Sequence, residues 1–179
     1  MLVGGKPHSH PCACWQVHFL AENVKNMADH TKKYIDTRFQ AHDPLAAPAI
    51  AFNSKHLTPV SRNRLYWTIL PGVRERLAKI EHQPKQGQKT LGHYLDPGRT
   101  TKKRVSDCIL TKGQKGKPVR DSAKNCMTCL NPAEVERVMA VEGYTDGSGL
   151  TKKTRLQLLG SSWHLQTIVE LLRDLATPG

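Results

Sequence analysis

Ser61-Arg62-Asn63-Arg64-Leu65-Tyr66-Trp67-Thr68-Ile69-Leu70-Pro71-Gly72 is the stretch on which the fold turns. Arg64 to Leu70 is rich in aromatic and branched side chains, which suit the pleated surface of a strand, and Pro71-Gly72 stops it. The two arginines at its head stand two residues apart, so in an extended chain both guanidinium groups point to the same face. Either they meet one ligand together, or they are two solvated cations leading into a strand.

Working outward toward the N-terminus, Ala49-Ile50-Ala51-Phe52-Asn53 is a second short apolar run, and Lys25 to Gln40 reads as a weak helix. Val17 to Leu20, with Val24 just beyond, predicts a strand that stops at Glu22-Asn23. That places the polar pair at the C-terminal end of a strand, where open α/β sheets bind ligands. Residues 1–16, broken by Pro7 and Pro11 and without periodicity, read as an irregular leader, a loop or an artificial joint.

Toward the C-terminus, Gln83 to Arg120 is rich in Lys, Gly, Thr and Gln, with short apolar islands at Leu91 and at Cys108-Ile109-Leu110. Gly113, Gly116 and Pro118 exclude a long rigid helix. Such an insert moulds onto a phosphate backbone or is a disordered linker, and composition does not separate the two. Asn131-Pro132-Ala133-Glu134 signs a helix start, with a cap, a proline in the first turn and an acid three residues past the cap. Val135, Val138 and Met139 share its inner face, and Gly143 is positioned to end it. In Thr151–Leu175, TKKTRLQLLGSSWHLQTIVELLRDL, a Gly160 turn and a Ser161-Ser162-Trp163 corner lead into an amphipathic helix. Its expected buried stripe is Leu165, Ile168, Val169, Leu172 and Leu175, with Glu170, Arg173 and Asp174 mostly outside.

The chain has 179 residues, 27 Lys plus Arg against 15 Asp plus Glu, and a formal charge of +12. An excess of that size favours a polyanionic partner. Five cysteines and no recognisable signal peptide fit a reducing compartment, and no apolar run approaches a membrane-spanning length. Cys126-x-x-Cys129 lacks a second pair at zinc-finger spacing. Cys12-x-Cys14, among His8, His10 and His18, has chelating groups, but no metal site is assigned to either cluster.

Four stretches in order resemble the C-terminal part of a DNA cytosine-5 methyltransferase, closest to the de novo type of animals. They are Phe19-Leu20-Ala21-Glu22-Asn23-Val24; Ser61 to Gly72; Glu134-Val135-Glu136-Arg137-Val138-Met139 with Tyr144-Thr145-Asp146; and Arg155-Leu156-Gln157-Leu158-Leu159-Gly160-Ser161-Ser162-Trp163. The resemblance implies an α/β chain carrying a partial Rossmann-like, S-adenosylmethionine-dependent methyltransferase fold, with half of a mostly parallel sheet and a basic target-recognition insert. It divides residues 17–82 as the first part of the catalytic sheet, 83–130 as the insert, and 131–175 as closing helices and a cofactor-side wall.

By the same resemblance, Glu22 holds ring N3 and the exocyclic amine of an everted cytosine. Of Arg62 and Arg64, one holds the carbonyl O2 and supports the Glu, while the other orders the catalytic loop and phosphate. Such roles suit a charged fork that grips two oxygens. Ser162 and Trp163 flank S-adenosylmethionine. Lys102, Lys103, Arg104, Lys112, Lys115 and Lys117 grip phosphates or reach a groove, and Lys152, Lys153 and Arg155 approach the DNA backbone. Double-stranded DNA is the implied partner and the nucleus the implied location.

The sequence departs from that family before Glu22, where a Gly-rich cofactor loop and a Pro-Cys nucleophile belong. Gly4-Gly5-Lys6-Pro7-His8 has His8 where the cysteine is due, and Pro11-Cys12 stands too close to Glu22. Ser161 replaces an Arg, and Val141-Glu142-Gly143 replaces Gly-Phe-Pro. The expectation is a fragment inactive alone, completed by a methyltransferase subunit or a complementary N-terminal half. The alternative is a non-catalytic DNA-binding or methyltransferase-partner module.

Overall fold

A computed structural model of the chain describes residues 19–42, 46, 48–84, 87–110, 116–147 and 149–175. The aromatic run becomes β3 (Asn63–Thr68), the centre of a three-stranded sheet flanked by β1 (Leu20–Val24) and β2 (Ile50–Asn53). Both pairings are antiparallel. The mostly parallel sheet expected from the sequence is therefore corrected for the described strands. β1 and β2 do share a direction, with α1 (Asp29–His42) crossing between them, but β3 lies in the middle and runs against both. β1 also continues past the Glu22-Asn23 stop, because Asn23 and Val24 pair with Leu65 and Arg64. Glu22 thus sits inside a strand rather than at its end.

Period-two alternation gives the sheet two buried faces. Phe52 and Tyr66, joined by Leu20 and Ile50, pack against Leu77 of α2 (Val73–His82) and Leu171 of α5 (Leu165–Leu172). On the other face the Trp67 indole donates to Asp36 of α1 at 2.7 Å, and Phe39 lies 6.2 Å from the Trp67 ring. Gly72 adopts φ 70° at the head of α2, a left-handed conformation that glycine reaches without a Cβ penalty.

The basic segment is folded where it is described. β4 (Arg99–Thr100), β5 (Val119–Asp121) and β6 (Cys126–Thr128) form an antiparallel meander. Leu91, Ile109, Val119 and Leu130 join Val135, Val138 and Met139 of α3 (Pro132–Met139) and Leu159 of α4 (Lys152–Ser161) in a second core. A buried ionic latch ties the meander to α3. The Arg99 guanidinium donates from Nε to Glu134 Oε1 at 2.7 Å, from Nη2 to Glu134 Oε2 at 3.0 Å, and from Nη1 to Asp121 at 3.0 Å. Glu134 also closes the capping box with Asn131.

Three helix details differ from the sequence reading. α3 ends at Ala140, which takes φ 59°, so Gly143 falls in the turn beyond rather than at the stop. Gly160 is inside α4, and the chain turns only after Ser161. In α5 the buried residues are Thr167, Glu170 and Leu171, whereas Leu165, Val169 and Leu175 are exposed. The reason is tertiary. α2 approaches the Glu170 side, where Arg76 donates to the Glu170 carbonyl at 2.5 Å and pairs with Asp174, and Arg173 pairs with the Glu170 carboxylate. Ile168 and Leu172 remain partly buried on the sheet core.

Candidate functional site

In the β1–β3 register Glu22 lies opposite Tyr66 and Val24 opposite Arg64, so Glu22 and Arg64 are diagonal neighbours on one face. Their side chains close to 2.6 Å, Arg64 Nε to Glu22 Oε1, with both side chains largely buried. Arg64 also donates to the Asn63 carbonyl at 3.0 Å. The Tyr66 phenol is pushed upward by burial and then by the Glu22 charge, so it stays protonated across the physiological range. The arrangement presents a carboxylate and a guanidinium fixed against each other, able to offer an acceptor and a donor to one planar polar ligand.

Arg62 takes a different direction from Arg64. It is 3% exposed and donates to the last carbonyls of α4 and its cap, from Nη2 to Ser162 O at 2.5 Å and from Nη1 to Gly160 O at 3.3 Å. Burial, followed by the neighbouring Arg64 charge, pulls its pKa below the ordinary arginine value. The two arginines are thus brought to one region but serve different partners.

The corner that Arg62 grips carries Ser162 and Trp163. Trp163, Tyr144, Leu165 and Ile168, with Val141, Glu142, Gly143 and Ser162, line an open and mainly apolar cavity of about 550 Å³. Tyr144 is 65% and Trp163 43% exposed, leaving two aromatic surfaces free to stack. The turn beneath is held by the buried Glu136 carboxylate, which accepts from Gly143 N at 3.0 Å, from Thr145 N at 3.1 Å and from the Thr145 hydroxyl. Burial opposes ionisation of Glu136, yet the hydrogen bonds from Thr145 and Arg155 hold its pKa below the usual value. In the sequence, Glu136 and Tyr144 carry no signal beyond their places in the matched Glu134–Met139 and Tyr144-Thr145-Asp146 stretches, and the resemblance gives neither a role.

The basic residues divide. Lys102, Lys103, Arg104, Lys117, Lys152 and Lys153 are exposed. Lys102, Lys103 and Lys117, joined by Arg120, rim a cavity of about 640 Å³ with Met127 and Pro118, and Lys103 pairs with Asp107 at 2.7 Å. Arg155, expected on the DNA backbone, is instead turned inward: Nε donates to Thr145 Oγ1 at 2.7 Å and Nη2 to Glu136 at 3.1 Å. Its partner is a buried carboxylate on the preceding helix, 19 residues away, which no local pattern signals. Lys112 and Lys115 lie outside the described residues, as do His8, His10, Cys12, Cys14 and His18. Among the described residues, no group of three or more His, Cys, Asp or Glu side chains gathers to hold a metal, and no helix is long and apolar enough to cross a membrane.

No protein-family model matches the chain. Among solved structures it is similar to the Dnmt2 methyltransferase of S. pombe, with a TM-score of 0.64 and 16% identity over 89% of this chain and 66% of that one. This is a methyltransferase fold. A second similar structure is the Entamoeba histolytica methyltransferase EhMeth, with a TM-score of 0.56 and 15% identity over 89% of this chain and 63% of that one. The chain therefore spans about two thirds of the length of the methyltransferases it matches. Neither neighbour singles out the animal de novo type that the sequence resembles.

Proposed function

We propose that the chain is the base-holding and cofactor-flanking part of a DNA cytosine-5 methyltransferase of the de novo type. The single observation that carries this reading is the 2.6 Å pairing of Glu22 with Arg64, residues forty-two positions apart that register brings together. Glu22 supplies a carboxyl for ring N3 and the exocyclic amine of an everted cytosine. Arg64 keeps that carboxyl aimed and offers a donor to the carbonyl O2. A hydrogen-bonded carboxyl at N3 draws charge from the ring and makes carbon 6 open to attack.

The Trp163 cavity suits S-adenosylmethionine, whose flat purine and sulfonium fit aromatic faces. Its volume also lies in the usual range for small-molecule sites. When bound, that cofactor supplies an electrophilic methyl group. Trp163 and Tyr144 would flank it, and Glu142, which lines the same cavity, would be the carboxylate available to its polar groups. The sequence resemblance shows no Pro-Cys at the due position before Glu22, so the nucleophile is proposed to come from a complementary segment or subunit with which the chain acts. Exposed Lys102, Lys103, Arg104, Lys117, Lys152 and Lys153 are proposed to hold duplex DNA, together with Lys112 and Lys115 of the same insert, in a nuclear setting.

Methyl transfer from labelled S-adenosylmethionine to a cytosine-containing duplex, with and without a segment bearing the Gly-rich loop and Pro-Cys, tests the reading. Incorporation should require both pieces, and Glu22→Ala should lower it by roughly a hundredfold or more. Incorporation that ignores Glu22 sinks it. The exposed rim of Lys102, Lys117 and Arg120 favours a second reading, a non-catalytic DNA-binding module. That reading expects salt-sensitive duplex binding, indifferent to Glu22, and no transfer in either arm.

A further inference from the structure

Arg62 is buried without a carboxylate in ion-pair distance among the described residues, an expensive arrangement for a cation. Its satisfaction comes from two carbonyls, Gly160 O and Ser162 O, at the end of α4. Helix ends leave such carbonyls unpaired and favour a positive charge beside them. A rigid guanidinium fork spans both at once, which a single ammonium does not. The backbone of Arg62 is fixed as well, its N–H donating to Asn53 Oδ1 at 3.1 Å and its carbonyl accepting from Ser54 N at 3.0 Å. The clamp therefore has an immobile base.

Two residues along the chain, Arg64 holds Glu22, and one residue beyond the clamped Ser162 stands Trp163. Only Asn63 separates Arg62 from Arg64, so the clamp and the Glu22–Arg64 pair share one short length of backbone. We infer that Arg62 is a positioning residue that fixes the Ser162-Trp163 corner and couples the Glu22–Arg64 pocket to the aromatic cavity wall. It does not contact the base. Binding at either place then changes affinity at the other by the same factor, since such coupling is reciprocal. The ligand side of this inference rests on the S-adenosylmethionine reading of the Trp163 cavity; the clamp itself does not.

The test uses the full chain labelled with 5-fluorotryptophan, the Trp163 fluorine line being assigned by loss in Trp163→Phe. Arg62→Lys keeps the charge and loses the fork. The Trp163 line should move and broaden, amides of residues 161–165 should exchange roughly tenfold faster, and S-adenosylhomocysteine should bind roughly three- to tenfold more weakly. The Trp67 line, on the opposite sheet face, should stay in place. Glu22→Gln should shift the Trp163 line when Arg62 is present and leave it still in the Arg62→Lys background. An unmoved Trp163 line in Arg62→Lys overturns the clamp, as does a Trp67 line that moves equally, because that reports general loosening. An equal response to Glu22→Gln in both backgrounds overturns the coupling. If the unaltered chain fails to bind S-adenosylhomocysteine, the cofactor reading falls, while the fluorine and exchange data still decide the role of Arg62.

Discussion

His164 is 1% exposed and spends both ring nitrogens inside the protein. Nδ1 accepts from Thr167 N at 3.2 Å, which caps α5, so Nε2 carries the proton and donates to Thr58 Oγ1 at 2.6 Å. Thr58 in turn donates to the Val138 carbonyl at 2.8 Å, joining the β2–β3 connection, α3 and α5 through one neutral imidazole. Burial pushes its pKa down to about 4. The folded state thus binds fewer protons than the unfolded state between about pH 6.5 and 4, and stability present above that window falls within it, by up to roughly 3 kcal/mol. Urea midpoints should hold steady from pH 8 to 7 and decline below 6.5. His164→Asn, which keeps a cap acceptor and does not titrate there, should flatten that decline; equal slopes in both proteins would contradict the assignment. At Trp67, replacement by Phe removes the indole donor to Asp36 and should cost about 1–2 kcal/mol, read from thermal or urea unfolding. Burial works against ionisation of Asp36, but bonds from Lys32 and Trp67 outweigh it and keep its pKa low.

The start of α3 is where local sequence and tertiary packing agree. Asn131 caps Glu134 N at 2.9 Å and Glu134 returns a bond to Asn131 N at 2.9 Å, while the same carboxylate receives Arg99 from the meander. A residue that signs a helix start thereby also latches a different element. Asn131→Ala should cost about 1–2 kcal/mol, as cap losses do. Glu134→Gln should cost more, about 3–5 kcal/mol, because it strips a buried guanidinium of its bidentate partner. A smaller loss for Glu134→Gln than for Asn131→Ala in the same unfolding assay would refute the latch. α5 shows the opposite case, in which Leu165 and Val169 stand 46% and 50% exposed. Leu165→Glu with Val169→Lys should leave the unfolding midpoint nearly unchanged and reduce self-association in sedimentation velocity, since exposed apolar stripes promote sticking.

Across the molecule, two cores share the work. One joins the first sheet to α2 and α5, the other joins the basic meander to α3 and α4, and Arg62 lies between Asn53 on one side and Ser162 on the other. With a formal charge of +12 and exposed lysines at 102, 117, 152 and 153, the proposed duplex binding should weaken as salt rises. Replacing Lys102 and Lys117 together by Gln should lower the slope of log affinity against log salt by about 2, nearly independent of DNA sequence. Replacing Arg155 should instead act on folding, because its charge is engaged by Glu136.

The sequence by itself determined the elements whose signals are local. β3 followed from its aromatic and branched run and the start of α3 from its capping box. The resemblance set Glu22 beside the Arg-x-Arg motif without choosing between Arg62 and Arg64, a choice that strand register decided. Strand direction, the inward turn of Arg155 and the buried side of α5 depended on what packs against each element. Those partners are not local: Glu136 is 19 residues from Arg155, and Arg76 is 94 residues from Glu170. Periodicity marks which side chains share a face, but burial energy is realised only when a neighbour covers that face, and only the tertiary structure chooses the neighbour.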